Sequence, residues 1–228
     1  MKRFFLLLIT LVTVAGTINA QQNSRNYRIE PSKWAYSWGV GTGLMAPEGG
    51  LANHFNPGFT LDTELNVFYQ KAFLMINGGF SNNKLKLDVP VTDGINNTFW
   101  PSGSKALHAF IGANLGMNFD VDQFSIYPFA GVGYGFIEPD LKTGNSDALL
   151  REVKIDGLLM NLGIGIDYNF PDKNYEVGAI NRILKVGLRY QCQIPNYKDD
   201  IAAFTGTTHW ITLRFMIGST FPGRPVNY

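Results

Sequence analysis

Apolar and polar residues alternate one by one in eight separate stretches of the chain. In the sixth stretch, Leu162 and Ile164 alternate with Asn161, Gly163 and Gly165. Alternation with a period of two is typical of a β-strand that has one apolar and one polar face. The sequence therefore predicts eight strands, at residues 34–44, 59–69, 72–80, 107–119, 124–136, 158–170, 184–191 and 208–221.

The links between the predicted strands alternate in length. Those at 70–71, 120–123 and 171–179 are shorter, and those at 45–56, 81–104, 138–156 and 193–207 are longer and rich in Gly, Pro, Asn and Asp. Short turns at one end and long loops at the other are typical of outer-membrane barrels. We predict an all-β fold, a closed eight-stranded antiparallel up-and-down transmembrane β-barrel in which the eighth strand pairs with the first.

The two faces of the predicted strands differ in charge. The apolar face carries no formal charge, whereas the other face holds most of the glycines and six charged residues, which are Asp62, Glu64, Asp167, Lys185, Arg189 and Arg214. A soluble barrel would place the apolar face inside. The uniform apolar face favours the inverted arrangement, with an aromatic girdle that includes Tyr190 and Trp210 near the outer rim. We therefore expect Arg at Ile164 or Leu213 to be worse tolerated than Ser at Gly165.

The composition changes this picture little. Charged residues make up 16% of the chain, below the ~25% that is usual for soluble domains, and Cys192 is the single cysteine, so an intramolecular disulfide is excluded. Because 19 Lys and Arg face 18 Asp and Glu, bulk charge does not attract nucleic acid, and we expect no such partner.

The N-terminus has the layout of a secretory signal peptide. Lys2 and Arg3 precede an apolar run at 4–16, which is shorter than the ~20 residues of a spanning helix, and small residues lead to Ala20. We predict a signal peptide at 1–20 cleaved after Ala20, a periplasmic segment at 21–33, a barrel at 34–221 and a C-terminal tail at 222–228. The predicted location is the bacterial outer membrane.

The eight amphipathic strands, the signal peptide and a final strand that ends in Phe221 resemble the small outer-membrane barrels of the OmpA/OmpX type. The resemblance covers the whole mature chain and is one of architecture. It implies that Phe221 is the signal read by the barrel-assembly machinery, with Tyr228 of the tail as the other aromatic candidate. It also implies contact with outer-membrane lipid and lipopolysaccharide.

The six charges of the polar face are predicted to form structural ion pairs in the lumen. An eight-stranded barrel is just wide enough to be filled by side chains, and buried charges need partners. Because the first strand offers glycine at its inward positions, we expect Arg214 to reach Glu64 or Asp62. We expect Lys185 to pair with Asp167, and Arg189 to belong to the same set. A conduction path is the alternative.

No motif indicates a catalytic, cofactor or metal site. The histidines His54, His108 and His209 and the serines Ser81, Ser102 and Ser104 have no diagnostic spacing. We therefore expect a non-enzymatic barrel that anchors or presents a surface, or serves as an accessory subunit of an envelope complex with a protein partner. The alternatives are a lipid A-modifying enzyme and a narrow channel. Phe99 and Trp100 in the second long loop are predicted as a contact patch.

Overall fold

The structure is a computed structural model of the chain, and it describes residues 28–30, 32–92, 97–140, 154–170, 180–197 and 204–226. The predicted signal peptide, its cleavage after Ala20, the turn at 171–179 and Tyr228 lie outside these residues. The long strands are β1 (Trp34–Pro47), β2 (Gly58–Tyr69), β3 (Ala72–Lys84), β4 (Lys105–Met117), β5 (Phe124–Asp140), β6 (Ile155–Asn169), β7 (Arg182–Tyr197) and β8 (Thr208–Thr220).

These eight strands form one closed antiparallel ring. Each strand pairs with the next one in the chain, and β8 pairs with β1 in a register that sets Arg214 opposite Gly41. Closure leaves no strand edge without a hydrogen-bonding neighbour, which is the condition for a sheet to lie in lipid. The predicted eight-stranded barrel and its closing pair are confirmed.

The strands extend farther toward the long loops than the alternation predicts. β1 continues to Pro47, β3 to Lys84 and β7 to Tyr197, because hydrogen bonding between neighbours continues above the apolar stretch. β4 ends earlier, at Met117, since the N–H of Asn118 donates to Lys71 O in the neighbouring turn at 2.7 Å. Phe119, predicted at the end of the fourth strand, belongs to the short strand Phe119–Val121, which pairs with β5.

The outward face of the barrel is apolar, and we call it the outer band. Val132 and Leu158 are each 64% exposed, and Ile111, Leu213 and Phe215 are also exposed. The inward neighbours of these residues, such as Asn114 and Arg214, are buried. A continuous apolar surface around a polar lumen is the arrangement that a lipid bilayer favours and water does not. No helix in the described ranges has the length and apolar character to cross a membrane.

The described parts of the loops at 45–56, 81–104 and 193–207 fold over one mouth of the barrel. A short helix (Gly50–His54) and a hairpin (Val89–Thr92 with Asn97–Trp100) lie there. Together with Phe204 they form what we call the cap. Its apolar cluster consists of Leu51, Phe55, Leu85, Val89, Trp100 and Phe204, which pack on Ala106, Ile137 and Ile155 of the barrel. The predicted loop at 81–104 therefore contains ordered strands.

At the opposite, short-turn mouth, the seam between β8 and β1 continues beyond the barrel. The N–H of Phe221 donates to Trp34 O at 3.0 Å, and its ring lies 5.6 Å from that of Tyr36. Arg28–Glu30 and Arg224–Val226 pair as a two-stranded antiparallel ribbon. The predicted N-terminal segment and C-terminal tail thus contain backbone that pairs across the seam.

Candidate functional site

Two arginines and three carboxylates form an ion network in the middle of the lumen, which we call the lumen network. Arg189 of β7 donates to Asp62 and Glu64 of β2. Arg214 of β8 donates to the same Glu64 and, at 2.8 Å, to Asp167 of β6. The network therefore connects β2, β6, β7 and β8, including pairs that are not neighbours in the sheet, through charge-assisted hydrogen bonds.

Neutral side chains complete the shell of these carboxylates. Asn66 Nδ2 donates to Glu64 Oε1 at 2.8 Å, and the hydroxyl of Tyr127 donates to Asp167 Oδ1 at 3.2 Å. With Lys185, the described lumen holds three buried cations and three buried carboxylates. A balanced set fits a low-dielectric interior, where an uncompensated charge is strongly unfavourable.

In the structure Arg214 pairs with Glu64, one of the two partners that the sequence predicts. Asp62 pairs with Arg189. The predicted pair of Lys185 with Asp167 does not form. Within the described ranges Lys185 has no carboxylate at ion-pair distance, and its Nζ lies 5.5 Å from the centre of the Phe68 ring. Asp167 instead accepts from Arg214, whose longer forked side chain reaches both Asp167 and Glu64.

Glycines on the walls make room for the long side chains. A Cβ on Gly41 would collide with Asp62 and would lie 3.0 Å from Arg214 Cγ. A Cβ on Gly165 would collide with the ring of Tyr127. A serine at Gly165 would therefore have to displace this ring, which packs against Phe73 and lies 5.2 Å from the Arg214 guanidinium. The predicted ranking of this serine above an arginine at Ile164 or Leu213 stays a prediction.

Apolar layers fill the lumen on both sides of the network. Toward the short turns lie Phe73, Met75, Tyr127 and Phe129, and toward the cap lie Met45, Phe110, Leu159 and Trp210. Trp210 is 2% exposed, so its predicted place in the outer girdle is wrong. It shares strand parity with Arg214 and therefore points inward. The described lumen is thus packed in layers from the short turns to the cap.

One serine and one histidine lie opposite each other in the lumen. They are Ser81 of β3 and His108 of β4, paired in the strand register and buried beneath Phe55 of the cap, whose ring is 4.8 Å from that of His108. Ser102 Oγ and Ser104 Oγ donate to loop carbonyls. Of the serines and histidines named as candidates for a lipid A-modifying enzyme, Ser81 and His108 therefore lie under the cap.

His209 lies in a polar array that the sequence pattern did not single out. The Tyr190 hydroxyl is 2.7 Å from His209 Nδ1, and His209 Nε2 is 2.7 Å from Glu48 Oε2. Thr207 Oγ1 also donates to that carboxylate, at 3.1 Å. The hydrogen bonds from His209 and Thr207 hold the pKa of Glu48 below its ordinary value. The array joins the loop after β1, strand β7 and the start of β8, which are far apart in the chain. The spacing of residues in the sequence therefore could not predict it.

Phe99 and Trp100, the predicted contact patch, point to opposite sides of the cap hairpin. Trp100 is fully buried, with its ring 5.6 Å from that of Phe204. Phe99 is 56% exposed, and Leu87 beside it is 55% exposed. The patch prediction is wrong for Trp100, because adjacent strand residues face opposite ways.

A metal centre has little basis in these side chains. In the part of the chain that the structure describes, no group of three or more His, Cys, Asp or Glu side chains is placed to hold a metal ion.

Several solved protein structures are similar in shape to this chain, and their sequences are about 12% identical to it. No family model and no curated protein matches the chain. Neisserial surface protein A matches with a TM-score of 0.46 and 12% identity, over 82% of this chain and 96% of that one. A major outer membrane protein from Thermus thermophilus matches with a TM-score of 0.44 and 12% identity, over 82% of this chain and 99% of that one. The N-terminal β-barrel domain of Pseudomonas aeruginosa OprF matches with a TM-score of 0.40 and 12% identity, over 84% of this chain and 100% of that one.

The fold itself rests on the strand register and on the two faces of the sheet. All eight strands pair in a closed ring, and charges line the lumen while large apolar side chains line the outside. The chain is a closed eight-stranded antiparallel barrel with the inside-out polarity of the small outer-membrane β-barrels.

Proposed function

We propose that this chain is an integral protein of the bacterial outer membrane that anchors and presents its folded cap at the cell surface. In this proposal it is non-enzymatic, and it presents the cap to a protein partner of the envelope or serves as an accessory subunit of an envelope complex. The observation that carries the proposal is the filled lumen, in which the lumen network and two apolar layers lie beneath a packed cap.

A lumen packed with side chains favours neither conduction nor a reaction inside the barrel. The surfaces left for partners are the outer band and the cap. The outer band suits outer-membrane lipid and lipopolysaccharide, because its large side chains are apolar and exposed. The cap suits a protein partner in the envelope, since Phe99 on the hairpin and Leu87, which precedes it in the chain, expose apolar area.

The proposal includes the route to the membrane. Export would depend on the signal peptide, with cleavage after Ala20, and the barrel-assembly machinery would read the aromatic end of β8 at Phe221. The side chain of Phe221 is exposed at the short-turn mouth, where a recognition signal has to be accessible. The mass of the protein purified from outer membranes tests the cleavage site directly.

Site-specific photocrosslinking in intact cells tests the presenting role. A photoreactive phenylalanine at Phe99 should capture a protein of the envelope, since this position is exposed on the cap. The matched control is the same probe at Val132 in the outer band, which should capture lipid. Protein adducts absent from Phe99 and from a second probe at Leu87 would contradict the proposal.

A further inference from the structure

The loops that flank the closing seam are hydrogen-bonded to each other above the barrel. Glu48 follows β1 and begins the loop that carries the cap helix. Its N–H donates to Thr207 O at 2.8 Å, just before β8. The N–H of Leu51, inside the helix, donates to Thr205 O at 2.9 Å. The cap helix is therefore attached to the strand that closes the barrel.

Side chains reinforce this attachment. The Glu48 carboxylate binds His209 Nε2 at 2.7 Å and Thr207 Oγ1 at 3.1 Å. The other ring nitrogen of His209 is 2.7 Å from the hydroxyl of Tyr190 on β7, which fixes the ring orientation. We call the four residues Glu48, Thr207, His209 and Tyr190 the clasp.

Backbone contact beneath the clasp requires glycine. Gly49 and Gly206 have φ angles of +69° and +123°, values that other residues rarely adopt. A Cβ on Gly206 would collide with Glu48 O. The two loops are thus held as closely as their backbones permit, and the Glu48 side chain extends from this point of contact to His209.

The clasp lies at one end of the cap helix, and a different contact lies at the other. Leu51 and Phe55 insert into the apolar cluster of the cap together with Phe204, which precedes Thr205 and Thr207. At the far end of the helix, the N–H of Lys86 donates to His54 O at 2.7 Å. Loss of the clasp would therefore leave the seam end of the cap with its two backbone hydrogen bonds and the apolar cluster alone, and this end would open more readily than the hairpin end.

We infer that the clasp helps to hold the cap closed over the lumen, and that protonation of Glu48 in acid breaks the clasp and loosens the seam end of the cap. This inference rests on the proposed function, because it makes the presented surface depend on pH. The packed lumen lies below the cap, so this loosening changes which apolar surface is exposed and does not open a pore.

The groups around Glu48 determine the pH at which the clasp is lost. Among the residues that the structure describes, the titratable groups that face it are His209 on β8 and Tyr190 and Cys192 on β7. The hydrogen bond from His209 is the largest cause of the lowered pKa of Glu48, followed by that from Thr207. A carboxyl group whose folded-state pKa is lowered contributes its full stabilisation above its unfolded-state pKa and loses it as the pH falls through the folded-state pKa. The clasp should therefore hold in mild acid and release below the usual range of glutamate.

Amide hydrogen exchange of the full chain in lipid nanodiscs tests the clasp. In the wild type, the amides of the cap helix should be protected at neutral pH and should exchange about tenfold faster in acid, after correction for intrinsic rates, as expected for a lost hydrogen bond to a charged group. His209→Ala should show faster exchange already at neutral pH. Glu48→Gln should show the same exchange at both pH values.

Asp88→Asn is the matched control, because Asp88 is a cap carboxylate that accepts from Ser102 N at 2.6 Å away from the seam. It should leave exchange of the cap helix unchanged. An acid response that persists in Glu48→Gln, or wild-type protection in His209→Ala at neutral pH, would overturn the clasp. Exchange does not depend on any partner, so this failure is distinct from a failure of the crosslinking experiment.

Discussion

Arg189 and Glu64 are 125 positions apart in the chain, yet they form an ion pair in the centre of the lumen, where their side chains are 1% and 2% exposed. Arg189 also binds Asp62, and Glu64 also binds Arg214. Arg189 and Arg214, on the neighbouring strands β7 and β8, therefore share the neutralisation of the buried carboxylates, and the stability of the barrel should depend on both.

Removal of Arg189 should destabilise the barrel. The Arg189→Ala variant leaves Asp62 without its ion-pair partner and Glu64 with one of two. We expect a loss of about 3–5 kcal/mol in the free energy of unfolding, measured by urea titration of the protein folded in vesicles.

The control is Lys185→Ala, which removes a lumen cation that forms no ion pair among the described residues, and its loss should be smaller. In the double variant of Arg189→Ala with Asp62→Asn, the joint loss should be less than the sum of the single losses, because the two residues share one interaction. Additive losses would show that the pair is not coupled.

A side chain at Gly41 should prevent the lumen from packing. The Cβ of Gly41→Ala would collide with Asp62 and crowd Arg214, and the closed sheet restricts any backbone shift. The fraction of protein that migrates as the folded form in unboiled gels should fall. Val40→Ala, at the neighbouring outward position, is the control and should fold normally. Equal folding of the two variants would contradict the close contact across β1.

Arginine on the outer band should impair insertion. Leu213 is exposed on β8 at the lipid-facing side, and Leu213→Arg should cost about 2–4 kcal/mol if it lies near the bilayer midplane. Folding into vesicles, followed by the heat-dependent gel shift, measures this loss. Leu213→Phe keeps the surface apolar and should fold like the wild type. An arginine that is tolerated there would mean that the band does not contact lipid.

Opening the cap should not create a pore. Trp100→Ala removes the largest buried side chain of the cap, but Trp210, Phe110 and the lumen network remain below it. Planar-bilayer recordings should show no unitary conductance for the wild type or for this variant. Discrete channel steps in either protein would contradict the filled lumen.

The pKa of Glu48 should depend on His209. The hydrogen bond from His209 lowers this pKa, with a further contribution from Thr207. Nuclear magnetic resonance titration of the Glu48 carboxyl should give a value below the ordinary one in the wild type and a higher value in His209→Ala. Thr207→Val should raise it less. If the pKa of Glu48 is unchanged in His209→Ala, the two side chains do not interact in solution.

The sequence by itself determined the strand count, the inside-out polarity and the inward position of all six lumen charges. It could do so because alternation of faces is a local property of an extended backbone. Once Leu213 is assigned to the outside, Arg214 has to point inward. The same parity rule puts Trp210 inside, but the sequence analysis assigned this residue to the outer girdle on its aromatic type, which was a weaker guide than its position.

Only the tertiary structure decided which charges meet. Closure of the ring and the stagger between strands bring Arg189 to Asp62 and Glu64, and they bring Arg214 to Asp167 in place of Lys185. The cap and the clasp depend on the same closure, because Glu48 and His209 become neighbours when β8 pairs with β1. Alternation fixes the side of the sheet on which a residue lies. The side chain with which that residue interacts depends on strand tilt and loop packing, because these are properties of the closed barrel.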